Sequence, residues 1–385
     1  MAARRARGLN TVSLTLADKA WRINWILVAL LCLIASIGVL MLYSAGNGSL
    51  QPWSQRHFVR FLAALAAMLA LALVDIRVWL KLAYPAYALG LLLLVAVEGA
   101  GMVGMGAQRW LDLGLFQIQP SEIMKIALVL ALARYFHGLN ADEIGRVAFI
   151  APPALMVLAP AALVMRQPDL GTAALMLLSG AAMFFFAGVR AWKFSLVSVC
   201  AMAAMPVAWA MLREYQRNRI LTFLDPERDP LGAGYHILQS KIALGSGGMF
   251  GKGFLEGTQS HLNFLPEKQT DFIFTMLAEE LGMVGCLVLL GLYCLTVMIA
   301  FAIALRSQSL FGRMLGMGIT VTFFLYVFIN VAMVTGLIPV VGVPLPLVSY
   351  GGTAMLTVMI GMGLLMGVDI HRDMRLGRHG EAITS

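Results

Sequence analysis

The chain has 385 residues, 60% of them hydrophobic and 12% charged, with a formal net charge of +8 and a mean hydropathy of +0.83. A soluble domain carries about 25% charged residues, so this composition excludes an ordinary soluble globular protein. The basic residues are scattered between apolar runs rather than gathered in a patch, which argues for membrane topology and against nucleic-acid binding.

The opening tail, MAARRARGLNTVSLTLADKAWR, is too polar and too long before the first apolar run to be a typical signal peptide, and it reads as a retained cytoplasmic tail. Apolar runs then follow near 23–43, 57–74, 78–98, 121–137, 147–165, 170–188, 192–211, 271–304, 314–337 and 351–370. A membrane span needs about twenty apolar residues, so the expected fold is an all-α polytopic integral membrane protein with about ten transmembrane helices. The run at 121–137 is the weakest, because Glu122 and Lys125 lie in its first turns. Cys32, Cys200, Cys286 and Cys294 all fall in apolar runs without zinc-ligand spacing or a disulfide framework, and they read as small buried hydrophobes.

Lysine and arginine collect in cytoplasmic loops. With the N-terminus inside, the inner segments hold Arg77, Lys81, Arg134, Arg146, Arg190 and Lys193, while the short outer ones hold only Arg56, Arg60, Arg109, Lys125 and Arg166. Both termini are then cytoplasmic. The chain divides into an N-terminal tail (1–22), helices one to seven (23–211), a large periplasmic loop (212–270), helices eight to ten (271–370) and a C-terminal tail (371–385).

Four outward segments stand out. Gly99–Pro120 is glycine-rich and then polar, and Arg166–Asp169 (RQPD) is a very short turn. The long loop holds an amphipathic stretch, Tyr235–Leu244, expected to be a helix on the membrane surface. The segment after it, GSGGMFGKG, fails the phosphate-loop pattern, which needs glycine where Ser246 stands and serine or threonine where Gly253 stands. It reads as a flexible loop whose backbone can approach something closely. The proline-rich 338–353 is expected to be re-entrant or cavity-lining, since non-helical backbone at membrane depth is tolerated only inside protein or beside water.

The candidate chemistry centres on Asp271, at the junction of the long loop and an apolar run. An acid there still meets water, whereas one at the centre of a span costs about 2.5–3.5 kcal/mol on insertion scales. Asp271 is thus placed to act as a base on a membrane-bound substrate or to cap a helix; Asp169 has the same capping option. Glu122 and Lys125 share a helix face and form either a structural ion pair or part of a polar cavity wall. Arg109 suits phosphate, because its fork binds two oxygens at once, while Arg56 and Arg60 fit interfacial snorkelling. His261, Glu267 and Lys268 are close to Asp271 in sequence. No spacing makes a metal site, although outward acids could hold Mg²⁺ or Mn²⁺ together with substrate phosphates.

PEKQTDFIF with AEELG, the PDLGT turn, QPSEIMK and PLPLVSYGGT occur in that family's order over about residues 20–372 and resemble the SEDS family (shape, elongation, division and sporulation). GTQSHLNFLPE and NVAMVTGLIPVVGVPLPLVSYGGT are most similar to its elongation (RodA) branch rather than its division branch. The resemblance implies a peptidoglycan glycosyltransferase of the bacterial inner membrane that polymerises lipid II, with a class B penicillin-binding protein as transpeptidase partner. It implies that Asp271 is the essential acid and that Glu122 and Lys125 line the outward cavity; Arg109, in the Arg-Trp element of the second outer loop, is a weaker match to the family. Arg166 and Lys268 complete the candidate substrate-binding set, and Gln117 departs from the family pattern. Two other classes remain open: a flippase for the same lipid, and a non-catalytic scaffold of the elongation machinery. Against a transporter, the selected charges cluster at the outer edge and no internal repeat is visible.

Overall fold

The computed structural model describes residues 15–377 apart from 105–106, 113–116, 212–213, 226–232, 263 and 265–266. In chain order the helices are α1 (Leu16–Trp21), α2 (Trp25–Ala45), α3 (Ser54–Ala72), α4 (Ile76–Ala100), α5 (Pro120–His137), α6 (Ala141–Ile144), α7 (Val147–Arg166), α8 (Leu170–Ala187) and α9 (Ala191–Met211). After them come α10 (Glu214–Leu224), α11 (Ala233–Ser246), α12 (Thr258–His261), α13 (Ile273–Arg306), α14 (Leu310–Val334) and α15 (Gly352–Ile370). Each expected span is a helix, and among the described residues eight helices are long and apolar enough to cross a membrane. The two that fall short are α5 and α9. α5 carries Glu122, Lys125 and Arg134, and it stays in the bundle centre because nearly all of it is buried against other helices. α9 lies at the edge, with residues 195–206 exposed throughout.

Several expectations are corrected. The segment after α4 is not a plain loop: β1 (Met102–Gly104), β2 (Ala107–Asp112) and β3 (Gln117–Ile118) form a three-stranded antiparallel sheet in the order β1-β2-β3. The stretch at 235–244 is a helix as expected, lies within α11, and packs on α13 and α14. Its Ser240 is fully buried, 2.8 Å from the Thr275 hydroxyl, and donates to the Val334 carbonyl at 2.8 Å. The cysteines are not buried: Cys200 and Cys294 are exposed on helix faces, and Cys32 and Cys286 are half-buried.

α13 also differs from a simple span. A straight helix of 34 residues would be about 51 Å long, well beyond a hydrocarbon core of about 30 Å. The helix breaks at Gly282, whose φ of 66° and ψ of −163° are non-helical. Before the break Ile273–Glu280 are all buried, and after it Met283, Val284, Leu287 and Val288 turn outward. The broken peptide groups find partners in the glycine loop. Lys252 N donates to Glu279 O at 3.0 Å, and Gly253 N donates to Glu280 O at 3.1 Å. In return Met283 N and Val284 N donate to the carbonyls of Gly248 and Met249 at 2.9 and 3.1 Å. The close backbone approach expected of GSGGMFGKG is therefore to the chain's own α13. A Cβ on Gly247 would land on the Ala278 carbonyl, and one on Gly251 would land on the Glu280 carbonyl.

The segment between α14 and α15 runs through the bundle without regular structure, with Val343, Leu345, Leu347, Val348 and Ser349 buried. Buried carbonyls need donors, and side chains from three helices supply them. Asn330 Nδ2 on α14 donates to Val343 O at 2.7 Å, and the Tyr293 hydroxyl on α13 donates to Pro346 O at 2.6 Å. His57 Nε2 on α3 lies 3.0 Å from Leu347 O. α2 presses close enough that a Cβ on Gly38 would clash with Leu347 O.

At the opposite end of the bundle, Asp75 caps α4 and pairs with Arg77 at 2.7 Å. Burial pushes the Asp75 carboxyl up, but its bonds to the Arg77 side chain and amide more than reverse this and hold it at about 2.

Two expectations follow. Gly251→Ala forces a side chain to φ +81° against the Glu280 carbonyl, and it destabilises by about 2–4 kcal/mol, read as a lower unfolding midpoint in detergent. An unfolded aspartate titrates near ~3.9, so the Asp75 contribution is complete above that pH and is lost as pH falls towards about 2. The midpoint gap between the native chain and Asp75→Asn therefore narrows between about pH 4 and pH 2.

Candidate active site

Asp271 sits in the turn immediately before α13 and is half-buried. The N-cap residue of α13 is Phe272, one position after Asp271, and its side chain makes no capping bond. The turn is instead held through its backbone. Tyr350 N donates to Gln269 O at 2.8 Å, the Ser349 hydroxyl donates to Thr270 O at 2.6 Å, and Asn330 Nδ2 donates to Asp271 O at 3.0 Å. Bonds to three successive carbonyls tie this turn to the irregular segment and to α14, which fixes the position of Asp271. Asp271 Oδ2 lies 3.3 Å from where a Cβ on Gly342 would be, and Gly342 has φ +70°. Only glycine suits that backbone and leaves this room.

One turn along α14 from Asn330 lies Tyr326, about 6 Å away along the axis. Its hydroxyl donates to Glu122 Oε2 at 2.9 Å, and Lys125 Nζ donates to Glu122 Oε1 at 2.8 Å and to the Tyr326 hydroxyl. All three side chains are buried. Glu122 and Lys125 thus form the structural ion pair of the first reading, locked by a tyrosine whose ring also lies under the Lys125 ammonium at 4.5 Å. Tyr326 also lines a small cleft with Pro344, Pro346, Ser349 and Met355. α14 therefore carries both polar groups on one face, Asn330 at the Asp271 turn and Tyr326 at the Glu122–Lys125 pair.

The remaining candidates are placed elsewhere. Arg109, on β2, directs its fork at backbone: Nε donates to Gln167 O at 3.1 Å and Nη2 to Pro168 O, with Asp169 at 3.9 Å. It fastens the small sheet to the turn between α7 and α8. Asp169 caps α8 by accepting from Thr172 N at 3.1 Å. Arg166 is exposed and lies 3.9 Å from Glu98. Lys268 is buried; burial lowers its pKa, with the Glu280 carboxylate opposing. His261 also meets Glu280, at 3.2 Å, so these two residues converge on Glu280. Glu280 in turn accepts from the Ser44 hydroxyl at 2.5 Å, and its neighbour Glu279 accepts from Lys252 at 2.8 Å. Glu267 is exposed. Arg60 does more than snorkel, because its guanidinium stacks on Tyr350 at 5.0 Å, beside the segment that holds the Asp271 turn.

Sequence reasoning passed over Tyr326, Asn330 and Ser349. A signal existed: an amide and a phenol four positions apart in an apolar run mark one polar stripe, and polar groups inside a span face protein or a cavity. Among the described residues, no three of His, Cys, Asp and Glu come together as a metal site.

Tyr326→Phe removes the hydroxyl between two buried charges and destabilises by about 1–3 kcal/mol. Glu122→Gln leaves the Lys125 ammonium buried without its counter-charge and costs about 3–5 kcal/mol; thermal unfolding in detergent orders the two. Gly342→Ala crowds the Asp271 carboxylate and lowers turnover by about 10–100-fold, a far larger fraction than the accompanying loss of folded protein measured by size-exclusion chromatography.

The chain matches the FtsW/RodA/SpoVE family, described as "Cell cycle protein", over residues 22–374. It is 46% identical over 370 residues to the peptidoglycan glycosyltransferase MrdB of Escherichia coli, covering 94% of this chain and 96% of that one. It is 31% identical to the peptidoglycan glycosyltransferase RodA of Treponema pallidum, covering 90% and 97%. Among solved structures, one chain of a peptidoglycan synthase complex, described for its coordination of polymerization and crosslinking, superposes with a TM-score of 0.77 at 36% identity, covering 91% of this chain and 98% of that one. The rod shape determining protein RodA of Thermus thermophilus superposes with a TM-score of 0.68 at 31% identity, covering 91% and 97%. The chain therefore belongs to the FtsW/RodA/SpoVE family, the same SEDS family that its motifs resemble.

Proposed function

We propose that this protein is a peptidoglycan glycosyltransferase of cell-wall elongation that polymerises lipid II, with Asp271 as general base. The observation that carries the reading is the position of Asp271, half-buried in the turn before α13, whose backbone carbonyls accept from Asn330 Nδ2 and the Ser349 hydroxyl. The acceptor hydroxyl gives its proton to Asp271 as its oxygen attacks the anomeric carbon of the donor, and the bond from that carbon to the diphosphate breaks. A positioned base contributes about 10²–10⁴-fold.

The leaving diphosphate needs positive charge. Lys125, oriented by Glu122 and Tyr326, and Arg60, at the edge of the irregular segment, are the cations whose placement best fits that task. Arg109 and Lys268 act mainly on the frame, and Arg166 is an outlying contact. A single carboxylate without a protein cage fits Mg²⁺ or Mn²⁺ held largely by substrate phosphates and water, and such an ion would neutralise developing phosphate charge. The long lipid of the substrate stays in the bilayer, since each buried CH₂ contributes about 0.8 kcal/mol. A base at the end of the spans then meets the sugar where it leaves the membrane.

The basic bias of the inner loops supports placement in the bacterial inner membrane, with the Asp271 end facing the periplasm. The likeness to a chain from a complex of polymerization and crosslinking supports a class B penicillin-binding protein as partner.

The test is polymer formation from purified lipid II in liposomes, by the chain alone, with its transpeptidase, and with Asp271→Ala. Asp271→Ala loses about 10²–10⁴-fold of polymerisation while remaining folded and inserted. Native-rate synthesis by folded Asp271→Asn overturns the role of the acid. Lipid II crossing the bilayer without any product overturns the enzyme reading in favour of a flippase.

A further inference from the structure

The glycine loop that repairs the break in α13 has a second consequence. Its tip is a tight turn closed by Gly251 N donating to Gly247 O at 2.8 Å. Met249 and Phe250 stand on this turn at 61% and 81% exposure. Backbone bonds to Glu279, Glu280, Met283 and Val284 hold the loop on both sides of the break and fix the backbone that carries the two side chains. Left in water, they are an unfavourable apolar projection.

The same bonds fix the level of the tip. Gly248 O and Met249 O accept from Met283 N and Val284 N, which begin the outward-facing stretch of α13 that includes Leu287 and Val288. Met249 and Phe250 therefore continue the lipid-facing surface of a membrane-crossing helix. From Ser246 to Gly251 the loop carries no charge. The flanking cation, Lys252, turns towards protein, bonding Glu279 and Thr258 at 2.8 Å each. The residues 283–306 that follow the break extend about 36 Å, enough to cross the core of a bilayer. The break itself then lies at the interface on the side of the long loop.

We propose that the turn at 247–251 is a membrane anchor, with Met249 and Phe250 inserted among the lipid chains of the leaflet on the long-loop side. The occupant of this surface is ordinary bilayer hydrocarbon. Because the turn is bonded across Gly282, the anchor also sets the height above the bilayer of the buried part of α13 and of the Asp271 turn that precedes it.

The test places a nitroxide on Phe250→Cys and, separately, on Met249→Cys, in a full-length chain whose four native cysteines are replaced. The protein is reconstituted in phosphatidylethanolamine–phosphatidylglycerol vesicles with no lipid-linked sugar and no partner. Glu256→Cys, at an exposed charged position, is the water reference. The ratio of oxygen to nickel-complex collisions is expected to be several-fold higher at 250 and 249 than at 256. Equal nickel access at the three positions puts the turn in water and overturns the anchor. Exclusion of both reagents at 249 and 250 shows protein covering the turn and overturns it as well. Two label sites keep the result readable where one substitution disturbs the loop.

Discussion

The carbonyls of Val343, Pro346 and Leu347 lie inside a helical bundle, on backbone that belongs to no helix, and each bonds to a side chain from a different helix. In the interior of a membrane protein no bulk water substitutes for a missing donor. The positions of Asn330, Tyr293 and His57 are therefore tied to the path of this one segment. The same segment then offers Ser349 and the amide of Tyr350 to the turn that presents Asp271. The chain that breaks the helical pattern is thus also the chain that builds the site, and both roles follow from the need to satisfy buried peptide groups.

A second break obeys the same constraint. At Gly282 the helix loses its regular bonds, and the glycine loop returns carbonyls and amides to the freed groups. Because backbone meets backbone, side chains would intrude, which accounts for glycine at 247, 251 and 282. The buried carboxylates of Glu279 and Glu280 lie next to this junction and are bonded to Lys252, Ser44, Leu255 N and His261. They fasten the long loop to α2 and α13.

α14 joins the two halves of the site. Tyr326 locks Glu122 to Lys125, and Asn330 holds the Asp271 turn. A polar group in a membrane span is costly unless partnered, so this stripe persists because each member completes another. The arrangement puts the buried Glu122–Lys125 pair and the turn that carries Asp271 on one face of the same helix.

The helical membrane fold was legible in the sequence, because apolar runs of span length and the distribution of Lys and Arg depend only on local composition. Asp271 was legible as a candidate because a charge at the end of such a run is conspicuous, and the irregular 338–353 because proline prevents a helix there. The small sheet was hidden by its glycines, and the break in α13 by the long apolar run that continues after Gly282, although Glu279 and Glu280 interrupt the pattern just before it. The roles of the charged residues depend on pairings between elements distant in sequence: Arg109 with the carbonyls of Gln167 and Pro168, Lys268 and His261 with Glu280, and Tyr326 with Glu122. Composition and spacing determine what enters the membrane and where charge is tolerated. Which acids are bound into the frame is decided only by tertiary packing, which brings Glu122, Glu279 and Glu280 to partners distant in sequence.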